Sequence, residues 1–181
     1  MVMGLPGAGK STVLEIASQM GWEIINYGSA MFEIAQKKFK ISHRDEIRKL
    51  PISAQKEIQK EVGIFLAQKS KNKREIILDT HCSINTPDGY LPGLPFEILK
   101  DLNIEKLVLI TAPPQDILKR RVEDKSRIRD SQSLELIVEH EQLNRAFLAA
   151  YSFFCSAPAS IIINADGKLE QSKQRLKQLL E

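Results

Sequence analysis

The chain has 181 residues, 43% of them hydrophobic, which is enough for one substantial core and too few residues for two ordinary domains. Its 26 Lys and Arg exceed its 23 Asp and Glu by three charges, an excess that excludes a nucleic-acid-binding coat over the whole surface. Cys82 and Cys155 are far apart and have no paired Cys or His spacing, which excludes a zinc site or disulfide framework.

A glycine-rich loop follows the first three residues. Its pattern is G-x-x-x-x-G-K-S, in which glycines let backbone N–H groups approach phosphate oxygens and the next helix adds its positive N-terminus. We expect Lys10 to bridge the β- and γ-phosphates of ATP and the Ser11 hydroxyl to ligate Mg²⁺. The predicted nucleotide-binding residues are Gly4, Leu5, Pro6, Gly7, Ala8, Gly9, Lys10, Ser11 and Thr12.

Short apolar runs at 22–25, 76–78, 107–110 and 161–163 alternate with helical patterns such as 10–20 and 53–70. This alternation predicts an α/β fold of the P-loop NTPase type, a five-stranded parallel sheet with helices on both faces. Residues 1–3 supply the first strand, which is short enough to suggest that a few residues precede Met1 in the native chain. We expect one kinase domain over 1–181, with an acceptor-binding helical segment at about 29–71 and a short lid at about 119–135.

Asp79 directly follows the apolar run 76–78. An acidic residue at the end of a strand beside a P-loop is placed to hold magnesium, directly or through water. The alternative is that Asp79 only caps the next helix. We predict the magnesium role.

Residues 86–95 contain three prolines and two glycines. This composition predicts a segment without regular structure. It fits either a stiff connection between layers or a loop of the substrate site.

Two basic clusters could neutralise phosphates. The first spans 44–49, and the second spans 119–129 and includes Arg120, Arg121, Arg127 and Arg129. Charge runs are commonly solvated helix faces, but arginine forks fit phosphate better than lysine does, so we single out the arginines.

Several classes of P-loop protein remain to be separated. A GTPase would show Asn-Lys-x-Asp after a strand, and 72–75 lacks the Asp; a motor or AAA-type ATPase needs more chain than this. A nucleoside monophosphate presents ionised oxygens and needs no general base, whereas an alcohol acceptor needs one. Asp45 and His81 could serve as that base, which keeps a sugar or shikimate-like kinase open.

The sequence resembles the archaeal-type adenylate kinase family in several strings that occur in the family's order. They are the phosphate loop, YGSAMFEIA at 27–35, RDEIRKL at 44–50, LDTH at 78–81, TPDGYLPGLP at 86–95, RIRD at 127–130, EH at 139–140 and NR at 144–145. The resemblance implies the reaction ATP + AMP ⇌ 2 ADP with ATP and Mg²⁺ as cofactors, a lid without zinc, and a homotrimer.

The same resemblance implies an acceptor pocket and a set of lid arginines. The implied AMP-binding residues are Gly28, Ser29, Met31, Phe32, Arg44, Arg48, His81 and Gly93. The implied catalytic residues are Lys10, Arg120, Arg121, Arg127 and Arg129, the arginines closing over the transferring phosphoryl group.

One departure from the bacterial pattern concerns the acceptor helix, where Asp-Met-Leu-Arg is replaced by Met31-Phe32-Glu33 without an arginine. The phosphate-binding role then passes to Arg44 or Arg48, and both stay open. His81 could contact substrate or have a structural role. Met31 and Phe32 could line the adenine pocket or fill the core. For His140 and Asn144 we favour a structural role.

No apolar run approaches the ~20 residues of a membrane-spanning helix, and the phosphate loop occupies the place of a cleaved signal. We therefore expect a cytoplasmic protein with nucleotide substrates, no membrane partner and no nucleic acid. The alternative from another class is a regulatory or ribosome-assembly ATPase without a small acceptor, whose arginine clusters would touch RNA.

Overall fold

The computed structural model describes residues 1–72, 75–86, 88–123 and 133–181. Seven strands and seven α-helices lie in these ranges, with one 3-10 helix at Arg44–Lys49. The strands are β1 (Val2–Met3), β2 (Glu23–Asn26), β3 (Ile76–Thr80), β4 (Ser83–Thr86), β5 (Gly89–Pro92), β6 (Leu107–Thr111) and β7 (Ala159–Ile163). The helices are α1 (Lys10–Gln19), α2 (Tyr27–Phe39), α3 (Ile52–Asn72), α4 (Phe96–Leu99), α5 (Pro114–Glu123), α6 (Leu134–Cys155) and α7 (Leu169–Leu180).

Five of the strands form one parallel sheet in the order β2-β3-β1-β6-β7. Neighbouring side chains on a strand point to opposite faces, so a strand that is apolar at every position is buried on both sides. Val2 packs in the cluster beneath α1 and α7, whereas Met3 packs in the cluster beneath α2, α3 and α6. The predicted fold class is therefore confirmed.

The sequence located the strands, but some limits differ. The strand predicted at 22–25 begins one residue later, so Trp22 lies outside it and Asn26 inside it. The strand predicted at 76–78 continues to Thr80, which places Asp79 within β3 and one residue before its end. Polar residues continue these strands because the carboxyl edge of a parallel sheet is where ligands bind and side chains need not be apolar.

Residues 86–95 contradict the prediction of an irregular segment. Ser83–Thr86 and Gly89–Pro92 pair as an antiparallel hairpin, in which Thr86 lies opposite Gly89 and Ser83 opposite Pro92. Gly89 begins β5 with a φ of +116° and Pro92 ends it, so neither residue interrupts the ladder. The content of proline and glycine in this segment is therefore compatible with a hairpin.

Helices fill most of the predicted acceptor-binding segment: α2, the 3-10 helix and α3 follow one another between β2 and β3. The side chain of Asn26 caps α2 by accepting from the backbone N–H of Ser29. Among the helices in the described ranges, none combines the length and apolarity required to cross a membrane. Cys82 and Cys155 are both free, and burial raises the pKa of the Cys82 thiol to about 12.

Candidate active site

The glycine-rich loop turns from β1 into α1 at the carboxyl edge of the sheet. Gly9, immediately before α1, has a φ of +80°, a conformation that favours glycine. A Cβ on Gly9 would lie 2.3 Å from Asn164 Nδ2, and one on Gly4 would lie 2.2 Å from the carbonyl oxygen of Ile110. These positions therefore need glycine for space as well as for conformation.

Side chains from other elements hold the carbonyl groups of this loop. Arg121 Nε donates to Pro6 O at 2.8 Å, and Arg120 Nη1 donates to Gly7 O at 3.3 Å. Asn164 Nδ2 donates to Ala8 O at 3.0 Å. The loop is thus fixed from outside by α5 and by the segment after β7, which prepares it for a ligand at low cost in ordering entropy.

Lys10, the first residue of α1, forms an ion pair with the Oδ1 atom of Asp79 on β3. Both side chains are largely buried, at 11% and 8% exposure. Asn26 Nδ2 donates to the other carboxylate oxygen, Oδ2, at 2.7 Å. The structure therefore brings together the predicted phosphate-binding lysine and the predicted magnesium-binding carboxylate.

His81 lies just after β3 and beside the phosphate loop, where its Nδ1 atom is 3.4 Å from Gly4 O. Burial lowers the pKa of this imidazole, and the nearby positive charges of Lys10 and Arg44 lower it further. The ring is therefore neutral at pH 7.

Arg44 begins the 3-10 helix and lies over the first turn of α2. An ideal Cβ on Gly28 would be 1.4 Å from Arg44 Nη2, so the absence of a side chain at Gly28 makes room for the guanidinium. This contact joins two of the predicted AMP-binding residues. The side chains of Arg48 and Asp45 lie outside the described part of the chain, so both Arg44 and Arg48 stay open as the phosphate-binding residue.

The other predicted acceptor residues occupy different environments. Ser29 is exposed and donates through Oγ to Asn26 Oδ1 at 3.1 Å. Met31 and Phe32 are half-buried against the core cluster beneath α2, so core packing accounts for part of each side chain. Gly93 is buried, and a Cβ there would lie 1.9 Å from His81 O, so the end of the hairpin closes against the backbone of the site.

A cavity of about 230 Å³ opens beside the N-terminal end of α1. Arg120 borders it and forms an ion pair with Asp166, with Nη2 donating to Oδ1 at 2.6 Å. The same guanidinium donates to Asn164 O at 3.0 Å, and it holds the pKa of Asp166 below its usual range. The cavity is lined by Gly9, Thr12, Arg120, Asn164, Ala165, Asp166, Gly167 and Leu169.

A buried polar cluster fastens the hairpin to α6. His140 Nε2 lies 3.0 Å from Ser83 Oγ, and this hydroxyl donates to Asn144 Oδ1 at 2.7 Å. At the next residue of α6, Glu141 accepts a hydrogen bond from Thr111 Oγ1, and burial raises the pKa of its carboxyl group. His140 and Asn144 therefore have the structural contacts expected of them.

Some predicted residues could not be placed, and some residues of the site were missed. Arg127 and Arg129 lie in 124–132, outside the described residues. Asn26, Asn164 and Asp166 were not singled out from the sequence. The sequence does contain a signal for these three residues, because each follows an apolar run predicted as a parallel strand. Ligands bind at the carboxyl edge of such a sheet.

The comparisons with known proteins agree with this geometry. A family described as AAA domain matches residues 3–138. Length was therefore the wrong ground for setting aside AAA-type proteins, since the P-loop and the strands around it are shared by P-loop proteins of many sizes. A shikimate kinase from Bacteroides thetaiotaomicron has a TM-score of 0.62 at 15% identity, covering 99% of this chain and 96% of that one, which shows a shared fold.

Curated proteins of similar sequence identify the family within the P-loop proteins. The adenylate kinase of Thermoplasma acidophilum is 43% identical over 173 residues, covering 95% of this chain and 92% of the relative. The adenylate kinase of Methanopyrus kandleri is 44% identical over 172 residues, covering 93% and 90%. Identity at this level over nearly the full length of both proteins, together with the P-loop and the paired Lys10 and Asp79, leads to one assignment. The chain belongs to the adenylate kinase family.

Proposed function

We infer that this chain is an ATP:AMP phosphotransferase, which converts ATP and AMP reversibly into two ADP. The observation that carries this function is the placement of cations from the donor and acceptor segments. Lys10 of the phosphate loop pairs with Asp79 beside the start of α2, and Arg44 lies over Gly28 in the first turn of that helix, so the two cations converge at one edge of the sheet. A reaction between two phosphorylated substrates needs that convergence.

The donor half of the site is formed by residues 4–12 and the cavity beside them. We propose that the backbone N–H groups of the loop and Lys10 hold the ATP phosphates. The cavity of about 230 Å³ next to Gly9 and Thr12 then takes the base, with Arg120 on one side and residues 164–167 on the other. Arg120 is suited to this place because a guanidinium packs well on an aromatic ring.

Asp79 and Ser11 fit a magnesium ion. Mg²⁺ prefers oxygen ligands and is commonly held by one or two protein groups together with substrate phosphates. Asp79 offers a largely buried carboxylate, while Ser11 offers an exposed hydroxyl on the first turn of α1. Asp79 and Ser11 would hold Mg²⁺ beside the ATP phosphates, and the chemistry it would supply there is neutralisation of negative charge. Lys10 contacts Asp79. When phosphate binds, the Lys10 ammonium must therefore either leave this carboxylate or contact the carboxylate and the phosphate together.

The acceptor half comprises the start of α2, the 3-10 helix and the end of the hairpin. We propose that Arg44 binds the AMP phosphate, with Arg48 as the second candidate, because Arg44 is held over Gly28 and can present a planar fork. Ser29, Met31, Phe32, His81 and Gly93 would border the nucleoside. His81 would enter as a neutral imidazole and so could donate and accept hydrogen bonds.

The transfer step needs no general base. An oxygen of the AMP phosphate, ionised at neutral pH, forms a bond to the γ-phosphorus of ATP. The bond between that phosphorus and the β,γ-bridging oxygen breaks, and its electron pair leaves with ADP. Arg120 and Arg121 hold the phosphate loop by its carbonyls. We propose that Arg121 and the lid arginines Arg127 and Arg129 offset the charge on the transferring group, while Arg120 stays beside the base.

The homotrimer and the cytoplasmic location also belong to this proposal. Both follow from the family resemblance, and no nucleic-acid partner is expected. Sedimentation of the purified chain would test the assembly state separately from the chemistry.

A coupled assay of ADP formation tests the acceptor. We expect ATP with AMP to give rapid ADP formation, and ATP with CMP or UMP to give little. Activity confined to a non-adenine acceptor would change the substrate and leave the fold assignment intact. ATP turnover that ignores AMP and rises with RNA would contradict phosphotransfer between nucleotides and support a regulatory ATPase.

A further inference from the structure

One amide joins the two halves of the site. Asn26 ends β2 and stands beside Asp79 in the parallel register of β2 and β3, so the two side chains share one face of the sheet. Asn26 Nδ2 donates to Asp79 Oδ2 at 2.7 Å. At its other end, Asn26 Oδ1 accepts from Ser29 N at 2.9 Å and from Ser29 Oγ at 3.1 Å.

These contacts use both the donor and the acceptor of the Asn26 amide. The carboxylate side requires a donor, because Asp79 presents only acceptors when ionised. The helix side requires an acceptor, because the first backbone N–H groups of α2 have no partner within the helix. A carboxylate at position 26 could cap α2 but would repel Asp79, and a serine could cap α2 but would be too short to bond Asp79 as well.

Through α2, the hydrogen bond between Asn26 and Asp79 also connects the magnesium-binding carboxylate to the acceptor half of the site. Gly28 and Ser29 lie in its first turn, and Arg44 rests on Gly28. The other oxygen of Asp79 contacts Lys10 of the phosphate loop. An unbroken series of contacts therefore runs from the phosphate-loop lysine through Asp79 and Asn26 to the first turn of the acceptor helix.

We propose that Asn26 is a positioning residue, which fixes the orientation of the Asp79 carboxylate and ties it to the start of α2. The proposal rests on the proposed function and assigns to Asn26 a task in it. Asn26 acts through Asp79 and through α2, and the hydrogen bond holds the carboxylate that would receive magnesium in one rotamer. Residues that orient metal ligands commonly change metal affinity or activity by about 10–100-fold when they are replaced.

Two substitutions separate the two contacts. Asn26→Ser keeps a cap for α2 and loses the donor to Asp79, whereas Asn26→Ala loses both. The exposed Asn103, before β6, provides a matched control as Asn103→Ser. For each protein one would measure AMP binding by calorimetry without metal, the thermal midpoint, kcat, and the Mg²⁺ concentration that gives half-maximal rate.

For Asn26→Ser we expect metal-free AMP binding within about twofold of wild type, kcat lower by about 10-fold and a higher half-saturating Mg²⁺ concentration. Asn26→Ala should show the same defect in kcat and Mg²⁺, with weaker AMP binding and a lower thermal midpoint in addition. Asn103→Ser should match wild type throughout.

Three results would overturn the proposal. If Asn26→Ser equals wild type in kcat and in its Mg²⁺ requirement, the bond to Asp79 has no positioning role. If Asn26→Ala loses AMP binding and thermal stability but keeps the wild-type kcat and Mg²⁺ requirement, Asn26 is only a helix cap. Wild-type protein that binds no AMP would defeat the proposed function itself and this inference with it. If Asn26→Ser folds poorly, Asn26→Asp keeps the side-chain length and the cap, and wild-type kcat and Mg²⁺ dependence in that variant would again overturn it.

Discussion

The guanidinium of Arg44 occupies the space that a side chain on Gly28 would fill, with Nη2 only 1.4 Å from an ideal Cβ. Gly28 lies in the first turn of α2 and has an ordinary helical backbone. The residue is therefore glycine because of Arg44 and not because of its conformation.

Gly28→Ala should separate stability from acceptor binding. Alanine is better than glycine inside a helix by up to about 1 kcal/mol, so the thermal midpoint should stay the same or rise. The new methyl group would displace Arg44, and losing its charged hydrogen bonds should raise the KM for AMP by about 10-fold while the KM for ATP stays near wild type. Steady-state kinetics with each substrate varied in turn would measure both.

Arg44→Ala is the partner experiment and should show the same selective rise in the KM for AMP. An unchanged KM for AMP in both variants would move the phosphate-binding role away from Arg44 and towards Arg48. Lower thermal stability in Gly28→Ala would show that the displaced arginine strains the helix.

Lys10 and Asp79 form a largely buried ion pair, so each single substitution leaves one buried charge with reduced compensation. We expect Lys10→Met to lower kcat by at least about 100-fold, since it removes charge stabilisation of the transferring group. It should also lower the free energy of unfolding by about 3 kcal/mol, the scale for breaking a buried pair from one side. Calorimetric unfolding and a coupled assay would report the two effects.

The double variant Lys10→Met with Asp79→Asn provides the control. Removing both charges should return most of the lost stability but none of the activity. A double variant as unstable as the sum of the single variants would show that the two residues do not interact in solution.

The sequence was informative where side-chain chemistry and spacing coincide. Lys10 and Asp79 were both identified because a glycine-rich loop and a strand-ending acid each have a recognisable local pattern. Their contact with Asn26 was not foreseen, because an Asn at the end of an apolar run looks like any helix cap. Whether its amide also bonds Asp79 depends on which strands are neighbours, and β2 pairs with β3 across a long segment of chain.

The hairpin at 83–92 shows the opposite error. Counting prolines and glycines predicted a segment without regular structure, whereas Gly89 at the start of β5 and Pro92 at its end are compatible with pairing. Arg120 was predicted as a lid residue, but its partners, Asp166 and Asn164 O, come from the far end of the chain. Contacts of that range depend on the packing of the whole fold.

Asp166 holds Arg120 at the edge of the cavity through Nε and Nη2, at 3.0 and 2.6 Å from Oδ1. Asp166→Ala should therefore release Arg120 and raise the KM for ATP severalfold, with little change in the KM for AMP. Asp166 is exposed, so the thermal midpoint should change little.

Lys119 supplies a matched control because it contacts the same carboxylate, with Nζ 3.2 Å from Oδ2, and does not line the cavity. Lys119→Ala should leave both KM values near wild type. If Asp166→Ala and Lys119→Ala changed the KM for ATP equally, the cause would be the loss of surface charge and not the release of Arg120.

The half-buried His81 and the buried His140 predict how stability depends on pH. Burial lowers the pKa of His81 and of His140 below the ordinary value of 6.5. The unfolded chain therefore binds more protons than the folded chain just below pH 6.5, and the free energy of unfolding should fall as the pH is lowered through that value. Denaturant titrations between about pH 7.5 and about pH 5.5 would measure the fall.

Glu141 acts in the opposite direction, because its raised pKa makes acidification relieve a buried charge. His140→Gln should therefore flatten the acid-side fall, and Glu141→Gln should steepen it. Stability that is constant or rises on acidification in the wild-type chain would be inconsistent with neutral, buried histidines at these positions.

The most direct test of phosphoryl transfer follows the γ-phosphate itself. ATP labelled at the γ-phosphorus, incubated with AMP and the chain, should place the label in the β-phosphate of newly formed ADP, with two ADP appearing for each ATP consumed. Label released instead as inorganic phosphate, at a rate independent of AMP, would contradict the assignment of this chain as an ATP:AMP phosphotransferase.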